Sequence, residues 1–184
     1  GTAREVQDIS AAWRDAGMVT ASLSGSAASE HALKARLGEE VPAVLHIATH
    51  GFAFPNPFSE EDLGPFDQPE FRTYFRVGED PLGRVGLILA GGNQSWVGRS
   101  DTMLTATGED GILTAAEIAD MDLRGMDLVV LSACETGLGE LDGMEGTMGL
   151  FRAFKLAGVE NVVQSFWSVP DKETQELMAE FYSR

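Results

Sequence analysis

The stretch Asp127-Leu-Val-Val-Leu-Ser-Ala-Cys134-Glu-Thr-Gly137-Leu-Gly139 limits most what this chain can become. Its apolar run, Leu128 to Leu131, is bounded by polar residues and then by glycine. A short continuous run of that kind reads as a strand buried on both faces. The only cysteine of the chain stands where this strand should end, and the glycines after it allow a sharp turn. In open α/β sheets, chemistry gathers in the crevice beyond the carboxyl ends of the strands. A free cysteine is more often buried and inert, but a thiol at a strand tip is a candidate nucleophile.

Val44-Leu-His46-Ile-Ala-Thr-His50-Gly51 has the same form and ends in His-Gly. If both strands lie parallel in one sheet, Cys134 and His50 emerge at the same edge. A thiol needs a base or cation nearby to become thiolate at neutral pH, and imidazole is the usual one.

The rest of the chain sets the frame. Helical spacing over Thr2–Ala16 puts Val6, Ile9, Ala12 and Trp13 on one face, with Gly17 as the stop. Val19–Leu23 reads as a weak strand. Ser26 or Ser29 caps a helix running through Leu37. The strand at 43–49 follows. This α-β-α-β order predicts an α/β fold with a mostly parallel sheet and helices on its faces.

Residues 51–81 form a long insertion, with Pro55, Pro57, Pro65, Pro69 and Pro81 set among phenylalanines. It is too long for an ordinary connection. It reads either as a surface insertion held by its aromatics or as a loop lining the site beside His50. Arg84–Ala90 reads as a strand, and residues 94–110 as a second polar loop. Thr114-Ala-Ala-Glu117 is a capping-box pattern opening a helix over 114–120. Beyond the cysteine, 137–146 reads as a glycine-rich acidic loop. A helix over 147–157, a strand over 159–169 and a helix over 171–183 close the chain.

Composition narrows the function. The chain's 184 residues fit a single domain, since domains run about 100–200 residues, and 43% apolar residues are enough for a core. No apolar run approaches the roughly 20 residues of a membrane helix, and no signal-peptide pattern opens the chain. One cysteine excludes an intrachain disulfide framework, so a reducing, cytoplasmic setting is expected. The net charge of −16 argues against a nucleic-acid partner. A solvated acidic surface is the plain reading, and a basic substrate or partner the functional one.

His50 would serve as general base or as the imidazolium of an ion pair. The backbone N–H groups of Gly51 and Cys134 would hold an oxyanion. A nucleophile, a base and two donors are the minimum for acyl transfer. His46, on the same strand parity as His50, reads as a buried, hydrogen-bonded histidine, and His31 as a surface residue. No further Cys or His completes a zinc set with His46 and His50, so no metal or other cofactor is expected. Neither a phosphate-binding loop nor a Gly-x-Ser-x-Gly elbow is present. Asp142 and Glu145 read as solvated loop charges, or else as a pocket for a basic side chain.

Four segments together resemble the CHAT domain, a caspase-like peptidase module often fused to TPR repeats in bacteria. They are His46-Ile-Ala-Thr-His50-Gly51, Asp127 through Gly137, Glu145-Gly-Thr-Met-Gly149 through Gly158, and Val162-Val-Gln-Ser-Phe-Trp167-Ser-Val-Pro-Asp171. The resemblance runs from about Arg4 to the end of the chain. It implies a three-layer α/β/α sandwich of caspase-like topology and a cysteine endopeptidase with a His50–Cys134 dyad. Gly51 matches the glycine that helps form the oxyanion hole. The strand ending at Ser165-Phe166-Trp167 corresponds to one lining the substrate cleft, so Trp167, Ser168 and Asp171, with Glu135, are expected to contact substrate. Glu-Thr-Gly follows Cys134, unlike the Arg/Gln-Gly of animal caspases, so an aspartate preference does not carry over. The chain reads as one domain excised from a larger protein. Its expected partners are a protein substrate and TPR repeats of the parent chain or a regulatory protein, with neither nucleic acid nor membrane. The alternative is a catalytically silent peptidase-fold domain that binds a partner. A flavodoxin-like nucleotide enzyme ranks below both, for want of a phosphate loop.

Overall fold

Helix α1 (Thr2–Asp15) buries Ile9 and Glu5 and stops at Gly17, whose φ of 77° suits glycine. The weak strand expected at 19–23 does not form, and Val19 is fully exposed. An extended segment with no neighbour to take its N–H and C=O groups has no ladder to hold it. A 3-10 turn at Gly25–Ala27 leads into α2 (Glu30–Glu39). Of the two expected caps, Ser29 serves: its hydroxyl accepts the Ala32 N–H at 3.2 Å. The computed structural model describes residues 2–53, 81–92, 109–132, 134–135, 143–165 and 171–182.

Strands β1 (Val44–Ile47), β5 (Leu128–Leu131) and β7 (Asn161–Gln164) form a parallel sheet in the order β1-β5-β7. Leu45, Val129 and Val162 stand in register, as do His46, Val130 and Val163. Because side chains alternate, these two rows lie on opposite faces. The first row joins the apolar core, together with Ile47 and Leu131 and with Leu150, Ala153, Phe154 and Ala157 from α4 (Gly143–Leu156). Helix α3 (Ala115–Ala119) packs along α4 and adds Ala115 and Ile118. The His46 row faces α1 and the C-terminal helix α5 (Asp171–Phe181), and these two helices pack together.

The strand expected over 43–49 is divided. β1 ends at Ile47, and after two intervening residues β2 (His50–Ala53) begins in a second sheet. The cysteine strand divides in the same way, since β5 ends at Leu131 and β6 is Cys134–Glu135. The second sheet has the order β4-β3-β2-β6, with β3 at Val85–Ile88 and β4 at Ile112–Thr114. β6 runs parallel to β2, but β2, β3 and β4 form an antiparallel meander. Mostly parallel pairing therefore describes the first sheet and not the second. Gly86 explains part of this packing: opposite Phe52 in register, it leaves its place to the aromatic ring. A Cβ there would lie 2.8 Å from that ring and 2.5 Å from the Leu113 carbonyl oxygen.

The expected capping box is present: Thr114 Oγ1 accepts the Glu117 N–H, and Glu117 Oε2 accepts the Thr114 N–H at 2.9 Å. Several boundaries move: β3 is shorter than the expected 84–90, and among the described residues the last strand covers only Asn161–Gln164. The first residues of the expected insertion, 51–53, belong to β2, and the helix expected from 147 already begins at Gly143. Residues 54–80, the bulk of that insertion, fall outside the described residues, as do 93–108 and most of the acidic loop. No described helix is long and apolar enough to cross a membrane.

Candidate active site

His50 opens β2 with a neighbour on each side. Its register partner on β6 is Cys134, and its partner on β3 is Ile88. The histidine and the cysteine, expected to emerge at one edge, thus stand next to each other in one parallel ladder. Adjacent strands lie about 4.8 Å apart, the closest approach a sheet gives to residues 84 positions apart in sequence. His50 is exposed, while Gly51 and Phe52 behind it are buried. Thr49 fixes the approach to β2, because its hydroxyl donates to the Ile88 carbonyl. On the neighbouring strand, the Ser132 N–H donates to the Ile47 carbonyl at 2.9 Å. The two chain segments are therefore tied together just before each reaches the second sheet.

Of the other expected site residues, Gly51 pairs in register with Glu135. Asp171 is the first residue of α5. Trp167 and Ser168 lie outside the described residues. Asp142 does too, while Glu145 falls within α4 rather than in a loop. His31 is exposed on α2, as expected.

His46 is buried and hydrogen-bonded, also as expected. Its Nε2 lies 3.1 Å from Glu5 Oε1, and its Nδ1 lies 3.2 Å from the Tyr182 hydroxyl. The His46 and Glu5 side chains are each only 5% exposed. A carboxylate only accepts, so Nε2 donates to Glu5 and Nδ1 accepts from the phenol. Burial first, and then the charge of Glu5, push the Tyr182 phenol well above its ordinary range, which keeps it a donor. Trp13 meets the Tyr182 ring edge-on at 5.0 Å. Sequence reasoning found His46 but not its partners, which come from the two ends of the chain.

A second polar cluster went unread. Lys34 Nζ lies 2.6 Å from Glu30, 2.6 Å from Glu109 and 2.9 Å from Glu117. One oxygen from each carboxylate lies within 4.8 Å of the others. That spacing would suit a metal ion, but the Lys34 ammonium holds all three. Glu30 Oε2 also accepts the Gly111 N–H at 2.9 Å. Burial, then Glu109 and the charge of Glu117, push the Glu30 carboxyl up to about 8 against the pull of Lys34. Glu109 is held below its usual range, chiefly by its hydrogen bond from Glu30 and by Lys34. Glu117 is also lowered: Thr114 and Lys34 outweigh its burial. The spacing of Glu30 and Lys34, four apart on a helix, and the capping box were the only signs of this cluster in the sequence.

A parallel α/β sheet that runs on into a ladder joining one histidine to one cysteine defines the class of this protein. The CHAT domain model matches residues 1–184, the whole chain, and the chain belongs to that family. The family is caspase-like in fold and peptidase-like in kind. No curated protein and no solved structure gave a significant match.

Proposed function

We propose that this chain is a caspase-like cysteine endopeptidase that cleaves a protein substrate through Cys134 and His50. The observation carrying this reading is the ladder pairing of His50 with Cys134 in a chain of the CHAT family. The placement of α4 on one face of the first sheet, with α1 and α5 on the other, supports a three-layer sandwich of caspase-like topology.

In the proposed cycle the Cys134 thiolate attacks the scissile carbonyl carbon, and the Gly51 and Cys134 N–H groups hold the oxygen that becomes negative. His50 gives its proton to the leaving amine as the C–N bond breaks, which leaves a thioester. Water, deprotonated by His50, then attacks the thioester carbonyl and releases the acid and the thiolate, which restores the starting pair. The exposure of His50 and the burial of Gly51 behind it suit these roles. Trp167, Ser168, Asp171 and Glu135 are the proposed substrate contacts. The proposed setting is cytoplasmic, with TPR repeats of a parent chain or a regulatory protein as partner.

The test is covalent labelling by a peptide acyloxymethyl ketone, read by mass at Cys134. Labelling lost in both Cys134→Ala and His50→Ala supports the reading. Labelling of His50→Ala at the wild-type rate sinks the dyad.

One observation favours the second reading, a silent domain that binds a partner. Leu177 and Phe181 are exposed on one side of α5, among the exposed Glu173, Glu176 and Glu180. An apolar stripe of that kind often marks a contact surface. A folded domain that no peptide electrophile labels would favour it.

A further inference from the structure

The Glu30–Lys34–Glu109–Glu117 cluster joins elements that are far apart in sequence. Glu30 and Lys34 come from the first turns of α2, Glu109 from the approach to β4, and Glu117 from α3. The same place is a backbone crossing. Ala90, just past β3, donates to the Ala28 carbonyl at 2.9 Å, and Leu89 donates to the Gly111 carbonyl at 2.8 Å. Gly111, at φ 81°, packs against Gly92 so closely that neither leaves room for a Cβ. The Gly111 N–H then points back to Glu30. The start of α2, the end of β3 and the start of β4 therefore meet at one carboxylate.

A proton at this crossing lowers its excess of negative charge. Three carboxylates facing one ammonium leave two negative charges in excess. Glu30, whose side chain is 1% exposed, has the least access to water to offset them. Glu117 acts on it through its charge, and Asp110, beside Glu109, shares a side-chain hydrogen bond with it. Asp110 is itself raised, by burial first. His31, on the same helix as Glu30, acts electrostatically on Glu109. A proton shared between Glu30 and Glu109 is the simplest way to keep both against Lys34.

We propose that this cluster is a proton-operated clasp: with one proton shared between Glu30 and Glu109 it fastens α2 to the Gly111 turn, and loss of that proton unfastens it. The proton leaves to solvent and no covalent bond but that O–H changes, so the step is reversible. On release, the Gly111 N–H loses its acceptor while the β3–β4 ladder stays paired. The clasp acts on the far side of Ile88, the β3 residue that pairs with His50. Its opening loosens the end of the strand that His50 leans on, whatever chemistry His50 performs.

Amide hydrogen exchange at Gly111 tests this, with rates corrected for the intrinsic effect of pH. Protection at Gly111 should fall at least about tenfold between about pH 6.5 and about pH 9, the range in which a carboxyl of this kind loses its proton. Val129 and Val130 in β5 should keep their protection over the same range. Glu30→Gln retains an acceptor for Gly111 but holds no charge, so its protection should stay flat. Glu109→Gln, at a more exposed position, removes the group that shares the proton and should shrink the fall. It stands in should Glu30→Gln fail to fold. Wild-type protection that stays constant with pH would overturn the clasp. So would a folded Glu109→Gln that keeps the full wild-type fall.

Discussion

Glu5, His46 and Tyr182 show how a single buried histidine is made tolerable. An imidazole with either nitrogen unpaired inside the protein would cost about 1–3 kcal/mol. Here both nitrogens are satisfied, and the satisfying groups come from α1 and from the residue just after α5. Tyr182→Phe keeps the ring against Trp13 and removes only the hydroxyl. It should cost about 1 kcal/mol, seen as a fall of roughly 2–4 °C in Tm for a domain of this size. His46→Ala leaves the Glu5 carboxylate buried without its partner and should cost about 3 kcal/mol, measured by urea unfolding. At this scale the sequence was legible where chemistry is local. Position at the end of the apolar run and a following glycine were enough to separate His50 from His46. The partners of His46 were not legible, because Glu5 and Tyr182 lie 177 positions apart and nothing in either neighbourhood signals the other.

At the scale of elements, turn and cap chemistry read correctly. Ser29 and Thr114 are side-chain caps whose partners lie three residues away, so the sequence carries the whole interaction. Thr114→Ala should cost about 1 kcal/mol, with the loss visible in the exchange of the Glu117 amide. The strand divisions did not read. An apolar run says that a segment is buried, but it does not say where the segment leaves one sheet for another. Gly86 shows what the second sheet depends on. Gly86→Ala would drive a methyl group into the Phe52 ring and the Leu113 carbonyl, and overpacking of this kind costs about 1–3 kcal/mol. A lowered urea midpoint with β5 protection unchanged would place the damage in the second sheet.

Over the whole molecule, the two faces of the first sheet are covered in different ways. The α3–α4 side is a continuous apolar core, whereas the α1–α5 side is joined to the strands through the Glu5–His46–Tyr182 chain. Apolar area sets most of the free energy of opening. The α1 and α5 amides should therefore exchange by a lower-energy opening than those of β5, as native-state exchange in low denaturant would show. Stability should also depend on pH through Glu30. Its carboxyl is raised from 4.5 to about 8, so the folded state holds that proton more tightly than the unfolded chain. The contribution is full below about pH 4.5 and is lost as pH rises through about 8. Glu109 and Glu117 are lowered and act in the opposite sense, losing their contribution on the acid side. Urea midpoints should therefore decline from about pH 4.5 to about pH 8 in wild type and much less in Glu30→Gln.

The paired interruptions of the two central strands have a mechanical consequence. Two residues separate β1 from β2, and two separate β5 from β6, side by side. Both breaks fall between the paired Ile47 and Leu131 and the paired His50 and Cys134. Bending there would swing the upper sheet as a single plate, carrying histidine and cysteine together, so their mutual spacing would outlast a movement that changed everything facing them.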